Sequence, residues 1–140
     1  MFDEANPYSL DCPSRKVLDL IGGKWPILLL CCLQQGPLRT GELSRRVSGI
    51  SPKMLTQTLR KLECNGIVER ISYHEVPPRV EYQLTELGRS LSKLARALEQ
   101  WVVDNYAQML AYQENAQASG NEAQDEVLPT GMVQSIKAAH

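Results

Sequence analysis

The apolar residues of this chain follow two rhythms. Between Ser51 and Gly66, Leu55, Leu59 and Leu62 recur at intervals of four and three, which predicts a helix with one buried face. Lys53, Gln57, Arg60 and Lys61 fall on the other side of that helix. Both of its ends are marked. Ser51 can cap the first amides, Pro52 suits the first helical position, and Gly66 suits a left-handed stop. The rhythm then changes. Ile67 to Tyr73 is rich in β-branched and aromatic residues, and Val80-Glu81-Tyr82-Gln83-Leu84 alternates apolar with polar, so two strands are expected. Between them Pro77-Pro78 breaks any ladder and stiffens a loop tip that carries Arg79.

The same patterns extend in both directions. Pro13 to about Ile21 predicts a helix, stopped by Gly22-Gly23. Lys24 to Gln35 is apolar nearly all round, as the buried centre of a fold should be, and Gly36-Pro37 ends it. Thr40 can cap a short helix holding Leu43 and Val47, and Val47-Ser48-Gly49-Ile50 turns into the helix after Ser51. Thr85 can cap the last helix. There Leu87, Leu91, Leu94, Leu98 and Trp101 form one stripe, continued by Tyr106. From Glu86 to Tyr112 such a helix is ~40 Å long, at about 1.5 Å per residue. So small a domain cannot cover that length alone, so the stripe is expected to pair with a second copy of itself.

This order predicts a mainly α fold with a small β-hairpin wing (α+β): a winged helix-turn-helix domain plus a long C-terminal dimerisation helix. The expected boundaries are an N-terminal arm at 1–11, the domain at 12–112 with its dimerisation helix at 85–112, and a flexible tail at 113–140.

The net charge of −1 over 140 residues argues against binding nucleic acid, but its distribution argues for it. From Gly36 to His74 seven basic residues oppose three acids, a balance of +4, whereas from Trp101 to His140 one lysine opposes five acids, a balance of −4. A basic segment on an otherwise acidic chain orients the molecule toward phosphate. The acidic start Met1-Phe2-Asp3-Glu4 does not resemble a signal peptide, and the longest apolar run, Trp25 to Leu33, is short for a membrane span. A cytoplasmic location with reduced thiols is expected. There is no Gly-rich phosphate loop, nucleophile elbow or histidine pair, and the positions of Cys12, Cys31, Cys32 and Cys64 form no zinc signature, so neither an enzyme nor a metal or other cofactor is expected.

From Cys12 to about Leu110 the chain resembles the HxlR-type winged-helix regulators, relatives of the MarR group. The resemblance rests on Leu18-Asp19-Leu20-Ile21-Gly22-Gly23-Lys24-Trp25, Ile50-Ser51-Pro52-Lys53-Met54-Leu55-Thr56, Leu59-Arg60-Lys61-Leu62-Glu63 and Glu75-Val76-Pro77-Pro78-Arg79-Val80-Glu81-Tyr82. It implies a homodimeric transcription regulator that binds double-stranded DNA at a palindromic operator, with repression as the default. It also implies a sensor role for the cysteine at position 12.

On this reading Lys53, Gln57 and Arg60 meet base edges in the major groove, and Ser51 and Thr56 meet phosphates at the helix start. Arg45, Arg46 and Lys61 are phosphate anchors, with a merely solvated surface as the alternative. Arg79 is held out at the wing tip for a narrow minor groove. Cys12, beside the cap of the first helix and near Arg15 and Lys16, is expected to be an accessible thiol of low pKa that responds to oxidants or electrophiles. Cys64 is the second candidate thiol. Two alternatives stay open: a winged helix used for protein contacts, and a regulator whose inducer is a small ligand near Trp25 and Tyr106.

Overall fold

The computed structural model describes residues 8–119. Its elements run α1 (Pro13–Ile21), α2 (Lys24–Leu33), α3 (Thr40–Arg46), α4 (Pro52–Cys64), β1 (Val68–Tyr73), β2 (Arg79–Leu84) and α5 (Glu86–Ala118). This is the expected α+β order: five helices with one antiparallel hairpin before the last. The chain divides between Ala95 and Arg96 into two compact units. The first holds the helix-turn-helix, the hairpin and the start of α5; the second holds the remainder of α5.

In the first unit the core forms where α2 meets α3, α4 and the hairpin. Leu29 and Leu30 of α2, Leu43 of α3, Leu59 and Leu62 of α4 and Val68 of β1 are its most completely buried side chains. The hairpin pairs Val68 with Leu84 and Tyr73 with Arg79 at its two ends. A further backbone bridge ties it to the helices: Leu38 and Tyr82 exchange N–H···O bonds of 3.0 and 2.8 Å. Leu38 lies between α2 and α3, so this bridge fixes the wing to the entry of the helix-turn-helix.

The turn into α4 places Gly49 at φ +87°, and the exit from α4 places Gly66 at φ +71°. Both conformations disfavour a side chain, so glycine marks both ends of the α4 segment. Ser51 caps α4, its Oγ accepting from the Met54 amide at 3.1 Å.

The start of α5 is anchored directly behind α4. Thr85 Oγ1 accepts from the Gly88 amide at 3.0 Å, as expected of a cap, and donates to the Gly66 carbonyl at 2.5 Å. Gly88 lies so close to the preceding chain that a Cβ there would sit 1.9 Å from the Ile67 carbonyl oxygen.

Several expected details differ. α2 ends at Leu33 rather than Gln35. Thr40 is not a cap but the first helical residue of α3; the cap position is Arg39, whose amide donates to Glu42 Oε2 at 2.8 Å. The glutamate reaches back because its carboxylate accepts an orphan amide at the positive end of the helix. α5 continues past Tyr112 to Ala118, through residues assigned to the tail. Of the expected arm and tail, residues 1–7 and 120–140 lie outside the described residues.

The close approach at Gly88 generates a prediction. Gly88→Ala forces the α5 start away from Ile67 and is expected to destabilise the fold by about 1–3 kcal/mol, read from urea unfolding.

Candidate nucleic-acid interface

The candidate surface follows from how α4 is seated. Leu55, Thr58, Leu59 and Leu62 are buried, and the Thr58 hydroxyl is satisfied by donating to the Met54 carbonyl at 2.7 Å. With that face inward, Lys53, Thr56, Gln57 and Arg60 are all exposed. None of the four makes an ion pair or a side-chain hydrogen bond with the described residues. Their donors are free for a ligand. The exposed Ser51 stands at the start of the same helix, where the dipole favours anions. Arg45 and Arg46 are exposed in the last turn of α3.

Lys61 is engaged elsewhere. Its Nζ donates to the Asp19 carbonyl at 3.1 Å and so caps the last turn of α1.

Arg79 requires a correction. It was expected at a stiff tip, pointing outward. It is instead the first residue of β2, paired across the ladder with Tyr73, and its guanidinium carbon lies 3.9 Å from the Tyr73 ring centroid. Glu75 approaches its Nη2 at 3.4 Å and Glu81 its Nε at 3.9 Å. Two carboxylates and an aromatic face pull the cation back onto the hairpin. The outermost wing residues are therefore Val76, which is fully exposed, with Pro77 and Pro78.

The expected dimer stripe divides. In the first unit Leu87 and Leu94 are exposed, Leu94 at 66 %, while Leu91 turns partly inward against the core. On α1, Val17 and Leu18 are exposed as well. In the second unit Leu98 and Trp101 are exposed and Tyr106 is half-buried. These are large apolar side chains at helical spacing, left open to water in the single chain.

Cys12 occupies the N-cap position of α1. Burial opposes its ionisation, but the amides of Ser14 and Arg15 and the Ser14 hydroxyl outweigh it and hold the thiol below its ordinary value. No conventional hydrogen bond caps the helix through the neutral sulfur; these donors act on the thiolate. The expectation of an accessible thiol does not hold, because Cys12 is only 4 % exposed. Cys64, at the end of α4, is exposed. Among the described residues no cluster of ligating side chains could hold a metal ion, and no helix is long and apolar enough to cross a membrane.

The profile of the HxlR-like helix-turn-helix family matches residues 20–110. The chain belongs to that family. It is accordingly a transcriptional regulator with a helix-turn-helix domain, not an enzyme. This HxlR-like chain is 41 % identical over 115 residues to the HTH-type transcriptional regulator YtfH of Escherichia coli (strain K12), covering 82 % of this chain and 91 % of the relative. The solved structure of a YtfH from Salmonella typhimurium superposes with a TM-score of 0.73 at 43 % identity, covering 79 % of this chain and 99 % of that one. The redox regulator HypR in its reduced form superposes with a TM-score of 0.67 at 42 % identity, covering 71 % and 99 %.

The part of the HxlR-like site that sequence reasoning missed is the cluster around Arg79. A signal for it existed. Glu75 precedes Arg79 by four residues, and the two strands, joined by a short loop, had to bring Tyr73 opposite it.

The capping geometry of Cys12 predicts a pH profile. The reactive thiolate fraction grows as pH rises, and a lowered pKa moves that rise downward. Peptide-resolved alkylation of Cys12 is expected to reach half its maximal rate at a lower pH than free cysteine. Ser14→Ala removes one of the three donors and is expected to move the midpoint back up.

Proposed function

We propose that this HxlR-like regulator binds a palindromic double-stranded operator as a homodimer, with α4 of each copy in successive major grooves, and that it represses transcription in the cytoplasm. The single observation that carries this reading is the exposed face of Lys53, Thr56, Gln57 and Arg60. Its donors have no partner among the described residues, on a helix whose opposite side is locked into the core. Lys53, Gln57 and Arg60 carry the donor and acceptor types that base edges require, while Ser51, Thr56, Arg45 and Arg46 are suited to phosphates. Lys61, exposed and bonded to the Asp19 carbonyl of α1, is a further phosphate anchor once that bond is exchanged.

Two copies are needed because one helix-turn-helix reads only a half-site. The exposed Leu87, Leu94, Leu98 and Trp101 of α5, with Val17 and Leu18 of α1, supply the apolar surface that pairing would bury. The thiol chemistry of Cys12 gives the dimer an inducer, an oxidant or electrophile. The donors that lower its pKa favour reaction, and the similarity to the redox regulator HypR, solved in reduced and oxidised forms, supports the same reading. Burial of Cys12 means that reaction follows local opening of the α1 start, so the response is gated by that opening rather than by thiolate content alone.

Three outcomes test this function. Arg60→Ala is expected to cost ~1–3 kcal/mol of affinity for a duplex selected from a random pool and to relax base preference at one position, read by gel-shift titration. The affinity of the intact protein should fall steeply and linearly in log–log form with added salt; a salt-independent interaction would point to protein contacts instead. Leu94→Asp places a charge in the proposed seam and is expected to convert the dimer to monomer in sedimentation equilibrium, with loss of the selected duplex at concentrations where the parent binds.

A further inference from the structure

The wing is charged the wrong way for a DNA-binding element. From His74 to Tyr82 it carries Glu75 and Glu81 against the single cation Arg79. That cation is occupied on three sides. Its guanidinium lies over the Tyr73 ring at 3.9 Å, its Nη2 is 3.4 Å from Glu75 Oε1, and its Nε is 3.9 Å from Glu81 Oε1. The two acids are held differently. Glu81 is the more covered, with 19 % of its side chain exposed, and it accepts a 3.2 Å hydrogen bond from the Tyr73 hydroxyl. Glu75 is 52 % exposed and makes one ion pair, with its own amide donating to the Tyr73 carbonyl at 2.8 Å. Glu81 therefore belongs to the hairpin, whereas Glu75 is a loosely held lid over the cation.

Neither carboxylate sits at the short bidentate distance of a strong guanidinium pair. The Arg79 Nε is buried and has no hydrogen-bond partner. A buried donor left unpaired is unfavourable, so the parked position is easily exchanged for one that satisfies the fork. A phosphate diester offers two acceptor oxygens that can meet the fork at the close, bidentate approach that Glu75, at 3.4 Å, does not make.

We propose that Glu75 is an electrostatic latch. It holds Arg79 on the hairpin in the free protein, and engagement of a duplex exchanges this carboxylate for a backbone phosphate. The inference rests on the DNA-binding reading above and adds to it a residue that weakens binding: Glu75 sets how much affinity the wing contributes. Nonspecific encounter meets a wing with its cation covered, and the exchange occurs once α4 has docked and brought phosphate to the hairpin. Arg79 then acts through the backbone contact and Glu75 acts through Arg79.

A double-mutant cycle on the full chain tests this, with the duplex selected from a random pool by the parent protein as the probe. E75Q is isosteric and removes only the charge. At low ionic strength it is expected to tighten binding about two- to fivefold, as the loss of an exposed ion-pair competitor should. R79A is expected to weaken binding, and E75Q in the R79A background is expected to give no gain. An equal gain in both backgrounds would mean that Glu75 acts only through its long-range field, and overturns the latch. So does weaker binding by E75Q, which would make Glu75 a support for Arg79, and so does unchanged binding by R79A. If the parent protein selects no duplex at all, the DNA-binding reading itself fails, an outcome distinct from these three.

Discussion

Leu55, Leu59 and Leu62 of α4 are sealed into the core against α2, and this leaves the helix one rotational setting. Burying each leucine stabilises the fold by roughly 1.5–3 kcal/mol relative to leaving it in water, so a turn of α4 about its axis that exposed all three would cost a large share of the stability of a domain of this size. The polar face has no freedom of its own. Lys53, Thr56, Gln57 and Arg60 point outward because the leucines cannot. The caps at Ser51 and Gly66 fix where along the helix that face begins and ends.

The surrounding elements serve this one helix. The Leu38–Tyr82 bridge ties the hairpin to the entry of the helix-turn-helix, and Thr85 and Gly88 tie the start of α5 to the residues that follow α4. Lys61 ties the far end of α4 to α1, whose first turn holds Cys12. α1 and α5 also carry the apolar residues left exposed in the single chain.

Charge and function are separated in the same economical way. Lys53 and Arg60 of α4 make no ion pair with the described residues, whereas Arg79 of the hairpin stands between Glu75 and Glu81.

Much of this was legible in the residues alone. Periodicity in α4 and α5, the Ser51-Pro52 start, the glycine stops, the alternation in β2 and the Thr85 cap are local signals, each set by backbone and side-chain chemistry within a few residues. They sufficed for the element order and for the exposed face of α4. What local pattern could not supply was competition between residues distant in space or newly opposed across a ladder. Thr40 looked like a cap until the Glu42 carboxylate proved able to reach the Arg39 amide. Lys61 fell on the polar face of α4 as a candidate phosphate anchor, and its bond to the Asp19 carbonyl, 42 positions away in the chain, is a contact no local pattern announces. Arg79 looked free at a proline tip, but strand pairing set it over Tyr73 and between two acids. Cys12 had a thiolate-favouring cap written in its neighbours, yet only packing decided that the same residue is hidden from solvent. Sequence determined which groups exist and which helix face they share; tertiary structure decided which charges are already satisfied, because satisfaction depends on distances that only the folded chain sets.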